Sequence, residues 1–120
     1  MTQFDAEERE GKLRFFEKAD SVEVFEGEIG CVDADGAIAA ATAAEGLKAL
    51  GRIERVDGKD VRIKKGCFCY QNSAADALSR ADIGADCFIE NSTTVCKTAD
   101  AKSKAGVVFD VDDSGVWVEF

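Results

Sequence analysis

At 120 residues the chain is long enough for one domain that buries roughly two-thirds of its unfolded surface. A net charge of −9 weighs against a duplex-binding surface, and the absence of histidine removes the usual general base and the commonest metal ligand. No apolar run approaches the ~20 residues of a membrane span, and the acidic start Met-Thr-Gln-Phe-Asp-Ala-Glu-Glu is unlike a signal peptide.

Five cysteines, an odd number at irregular spacing, make a poor disulfide framework, so the composition reads as a protein made and kept in a cytosol. Eleven glycines without a proline assign the turns to Gly, Asp and Asn, as in a β-rich protein of tight hairpins.

Residues 1–12 are mostly charged, with Phe4 the only large apolar side chain between Met1 and Leu13. Such a segment builds no core of its own and reads as an acidic arm: a frayed end, a short helix, or an extended strap that orders on a partner. The single β-rich domain is expected over 13–120. From Leu13 to Val32 the pattern is strand-like: Leu13 and Phe15 share one face, Phe16 takes the other, and Val22 and Val24 lead to a turn at Glu26-Gly27-Glu28. Ile29 to Val32 is a further short strand, closed by the turn Asp33-Ala34-Asp35-Gly36. Ala37 to Gly46 favours helix locally but lacks large apolar residues, so a connection with at most a turn or two of helix is expected.

Leu47 to Val56 reads as strand, Asp57-Gly58-Lys59-Asp60 as a turn with a favoured Asp-Gly pair, and Val61 to Lys65 as a clean apolar/basic alternation. Cys67 to Tyr70 is a compact apolar strand. Ala74 to Arg80, behind a capping Ser or Asn, is the best helical turn in the chain. Cys87 to Ile89 and Thr93 to Cys96 are short strands, and Lys97 to Lys104 is a polar loop.

The chain then closes with a hairpin: Val107 to Val111, the turn Asp112-Asp113-Ser114-Gly115, and Val116 to Phe120. By strand parity Val116, Val118 and Phe120 share the inward face. Trp117 falls on the polar side with Glu119, where an indole needs cover, either from a loop or the N-terminal segment or from a neighbouring subunit. Short strands with turn signals every eight to twelve residues define a mainly β fold, a small β-barrel or sandwich of short antiparallel strands with one or two short helical turns.

Few residues invite a chemical reading. Cys67 and Cys69 point to one face of their strand, but the pairs of closely spaced cysteines that a zinc knuckle needs are missing, and the cysteines read as small core hydrophobes. Asp33 and Asp35, and Asp110, Asp112 and Asp113, lack the oxygen series and closing glutamate of a calcium loop and read as turn formers. There is no phosphate-cradling glycine loop and no Gly-x-Ser-x-Gly elbow. The sequence is thus read as a non-enzyme with no catalytic residue, metal, cofactor or small-molecule substrate. The alternative is a small cytosolic metal-binding or redox protein using Cys67, Cys69 and another cysteine.

Several blocks in order carry a family resemblance. They are Val24-Phe-Glu-Gly-Glu-Ile-Gly-Cys-Val-Asp-Ala-Asp-Gly36, the alanine-rich stretch, Leu50-Gly-Arg-Ile-Glu54, Val61-Arg-Ile-Lys-Lys-Gly-Cys-Phe68 and Asn72. Asp82-Ile-Gly-Ala-Asp-Cys-Phe-Ile89 and Ala105-Gly-Val-Val-Phe-Asp-Val-Asp-Asp-Ser-Gly-Val-Trp-Val-Glu119 complete the set. Over roughly residues 22–120 the chain resembles the capsid cement, or head decoration, proteins of tailed bacteriophages and prophages. The resemblance implies a small β-barrel or β-tulip domain made in the bacterial host cytoplasm and placed on the virion exterior. It implies a homotrimer that binds the major capsid protein, bridges its subunits and stabilises the capsid, with no nucleic acid or membrane partner. Phe4, Phe15, Phe16 and Trp117 are the candidate interface residues.

Overall fold

The computed structural model describes residues 11–120. Its alternating stretches form β1 (Leu13–Glu17), β2 (Ile29–Val32), β3 (Ile38–Ala40), β4 (Lys48–Asp57) and β5 (Asp60–Lys64). They continue as β6 (Cys67–Asn72), β7 (Asp86–Asn91), β8 (Thr94–Cys96), β9 (Lys104–Asp112) and β10 (Gly115–Glu119). The chain is mainly β, as its alternation predicts. The first five strands make an antiparallel sheet in the order β1-β5-β4-β2-β3, and the last five close into a barrel, β10-β6-β8-β7-β9. Closure depends on one ladder that the antiparallel expectation omitted, the parallel pairing of Gln71 with Thr94 and Asn72 with Val95.

Turn chemistry behaves as its residue types require. Asp33 accepts hydrogen bonds from the amides of Asp35 and Ala37, each at 2.9 Å, which folds the β2–β3 connection. Gly58, at φ +60°, opens the two-residue loop between the paired Asp57 and Asp60. Asp112 and Gly115 pair around the final hairpin, where the Asp112 carboxylate accepts from the Ser114 amide at 2.8 Å.

Three local expectations are corrected. Ile38–Ala40 within the alanine-rich connection is strand rather than helix, because it completes a ladder with β2. Val22 and Val24 lie in no strand; their segment is laid over one sheet face, where Val24 is buried with Ile38, Ile53, Val61 and Ile63. Ala74 to Ser79 is not helical. The Asn72 side chain grips Leu78 at both its amide and its carbonyl, 2.8 Å each, and the Ser73 hydroxyl accepts from the Asp76 amide. Those competing bonds hold the segment open. The only helical turn among the described residues is a 3-10 turn at Arg80–Asp82, where Asp82 reaches back to the Ser79 amide at 2.8 Å.

Two cores result. The barrel core contains Tyr70, Leu78, Ile89, Val95, Val108, Val116 and Val118, and Ile29, Cys31 and Ala41 from the sheet region enter it. The join is fastened by the Tyr70 hydroxyl donating to the Gly27 carbonyl at 2.9 Å, by the Ile29 amide donating to Ser92, and by the Arg52 guanidinium 4.0 Å above the Phe68 ring. The second core lies on the sheet face that carries Ile53, Val61 and Ile63.

Candidate interaction surface

β1 forms one edge of the five-stranded sheet. Its register sets Phe15 opposite Arg62 and Phe16 opposite Val61, so the two phenylalanines take opposite faces. Phe16 packs against the second core; Phe15 stays 73% exposed. Around them is an open groove of about 470 Å³ whose rim adds Arg55, Arg62, Glu17, Asp57 and Asp60. Among the described residues the Arg62 Nε is buried without a hydrogen-bond acceptor, and Glu17 pairs loosely with Lys59 at 3.8 Å. The exposed Phe15 ring lies beside Arg62, its cross-strand neighbour.

Trp117 lies on the outer wall of the barrel, opposite Cys69 on one side and Asp110 on the other, while Val116 and Val118 are fully buried. The indole is partly buried, and its N–H donates to the Asp112 carboxylate at 2.9 Å. The final turn therefore supplies the polar partner an indole at a wet surface requires. Phe4 lies outside the described residues, as does most of the arm expected over residues 1–12. Phe15 and Phe16 flank one groove, and Trp117 sits on the separate barrel wall.

Among the described residues three further large apolar side chains are exposed: Phe25 at 62%, Phe109 at 60% and Ile83 at 43%. Within the Val107 to Val111 run Val108 is buried and Phe109 faces out. Val118 pairs with Val108 and Trp117 with Asp110, so Phe109 is the extra residue of a bulge. Ile83 precedes Gly84, whose amide donates to the Val108 carbonyl at 2.8 Å.

The cysteines divide. Cys31, Cys87 and Cys96 are fully buried, as the core reading predicts. Burial pushes the Cys31 thiol up to about 12 and Cys87 to about 11. Cys67 and Cys69 depart from that reading and lie partly exposed on the outer wall with Trp117. Desolvation first, then Glu119 for Cys67 and Asp112 for Cys69, raises both thiols above their ordinary range. Among the described residues no three of His, Cys, Asp or Glu gather to hold a metal ion, and no helix is long and apolar enough to cross a membrane.

No protein-family model matches the chain, and no curated protein or solved structure matches it.

Proposed function

We propose that the protein is a structural virion component, a cement protein that binds the outside of a phage capsid as a homotrimer and bridges major capsid protein subunits. It is made in the host cytoplasm, acts without turnover or cofactor, and engages neither nucleic acid nor membrane. The observation that carries the reading is the display of large aromatic side chains on the outside of a small acidic β-protein, Phe15 above all at 73% exposed. Exposed aromatics beside arginine are the residue types that anchor protein interfaces. The ordered blocks between Val24 and Glu119 support the particular class. Staples across subunit joints resist the outward pressure of packaged DNA by adding interface area, a task that needs binding and no chemistry.

A major capsid gene beside this one would be the first supporting observation. The decisive experiment is co-sedimentation of the purified protein with shells assembled from that capsid protein. Saturable binding is expected, weakened about 30-fold or more by Phe15→Ser, the loss typical of an anchor worth ~2 kcal/mol. Absence of binding by the unaltered protein refutes the proposal. The competing reading, a cysteine-based metal or redox protein, draws on the outward-facing Cys67 and Cys69. Stoichiometric zinc in the purified protein would favour it.

A further inference from the structure

Basic residues are outnumbered 15 to 24 in this chain, yet Arg14, Lys48, Lys65 and Lys104 all line one cleft of about 460 Å³ where sheet meets barrel. All four are exposed, and among the described residues only Lys104 of the four has an ion-pair partner, Asp86 at 3.1 Å. Among the described residues Glu119 is the one acidic side chain of the lining, and Leu50, Val107 and Phe120 supply apolar surface. Four like charges facing one cleft repel one another, so the fold gains nothing by gathering them. The cleft suits an acidic surface that carries apolar side chains.

The chain carries such a surface at the other end of the same hairpin. Around the β9–β10 turn Asp110, Asp112 and Asp113 gather with the half-buried Val111 and the exposed Phe109. Arg80 lies 3.9 Å from Asp110, and Asp112 is held by the Ser114 amide and the Trp117 indole, which leaves the turn net acidic. From Gly115 to Glu119 the strand advances about 13 Å, so the hairpin cannot fold its own turn back onto its own cleft. We propose that the cleft receives the acidic β9–β10 turn of a second copy of this chain, its carboxylates on the cations and Phe109 toward the apolar lining. Donor and acceptor surfaces differ, so the contact is head-to-tail and repeats until it closes into a ring. This contact gives the homotrimer proposed above its interface, and it rests on that reading for the number of copies.

The test is self-association of the purified full chain without shells, read by sedimentation velocity at low salt and chain concentrations up to ~1 mM. Concentration-dependent trimers are expected, weakened about tenfold or more by ~1 M salt, where the screening length falls to about 3 Å. Lys48→Glu with Lys65→Glu, or Asp110→Lys with Asp113→Lys, should each weaken association about tenfold or more. The four changes in one chain should associate more tightly than either pair, with circular dichroism confirming the fold of each variant. Carbodiimide cross-linking of isotope-labelled chains mixed with unlabelled ones needs no substitution. It should join Asp110 or Asp113 of one copy to Lys48, Lys65 or Lys104 of another. A protein monomeric throughout, association indifferent to either pair, or cross-links that join only other surfaces overturn the proposal. Shell co-sedimentation is scored apart: monomers that bind shells sink this contact alone, and trimers that bind none sink the capsid reading alone.

Discussion

Val118 and Trp117 are adjacent in β10 and lie on opposite sides of the barrel wall, so a pair of substitutions tests the face assignment directly. Val118 is fully buried in the barrel core and sits tight against Gly106, where an added β-carbon would come within 2.9 Å of its Cγ1. Val118→Ala removes two methyl groups, about 1.6 kcal/mol of transfer free energy, and leaves a cavity that brings the cost to about 2–3 kcal/mol. Val118→Asp places an unpaired carboxylate among Val108, Val116 and Tyr70, at about 3–5 kcal/mol or more. Against a total stability of about 5–15 kcal/mol, the aspartate unfolds the domain or nearly so.

Trp117→Ala removes an exposed-side hydrogen bond to Asp112 and partly buried indole surface, so about 1–2 kcal/mol is expected. Thermal melts followed by circular dichroism should show a fall of roughly 10 °C for Val118→Ala and about half that for Trp117→Ala, at some 3–5 °C per kcal/mol. Urea titrations with unchanged slope confirm that stability alone has moved. If Trp117→Ala melts the domain as badly as Val118→Asp, the indole belongs to the core and the inside-outside reasoning for β10 fails.

Other outcomes follow from the same geometry. Native protein should expose Cys67 and Cys69 to a thiol reagent, with Cys31, Cys87 and Cys96 reacting only after denaturation; five protected thiols would contradict the outer-wall placement. Gly51 sits at φ +146° with no room for a β-carbon against the Lys64 carbonyl, so Gly51→Ala should cost at least ~3 kcal/mol by urea titration. Asn72→Ala strips both bonds to Leu78 and should cost about 1–3 kcal/mol, with increased amide exchange confined to residues 73–79. Cys31 and Cys87 keep their protons in the fold up to about 12 and 11, whereas an unfolded thiol ionises near ~8.5. The unfolded state alone therefore loses protons as pH rises through that interval, and stability measured in urea should be flat below pH ~8 and decline from there toward pH 11.

The alternation in the sequence determined the strands around Ile53, Val61, Ile63 and Val116, and turn-forming residues determined where Asp33, Gly58 and Asp112 reverse the chain. Both signals are local: side-chain parity and backbone freedom act over a few residues. Parity also separated Phe15 from Phe16 and Trp117 from Val118 before any fold was known. Which of two faces gains cover is decided elsewhere. The segment through Val22 and Val24 settles on the face that holds Phe16, and Phe15 remains exposed. Ile38–Ala40 became strand because a ladder on β2 outweighed alanine's helical preference, and Ala74 to Ser79 lost its helix to bonds from Asn72 and Ser73. A bulge against Trp117 and Val118 shifts the phase of the strand after Phe109, so that Asp110 pairs with Trp117 and Val111 with Val116. Barrel closure rests on a parallel contact between β6 and β8, strands separated by the whole of β7. Pairings over such distances depend on which other surfaces are already buried, and no short window of residues encodes that.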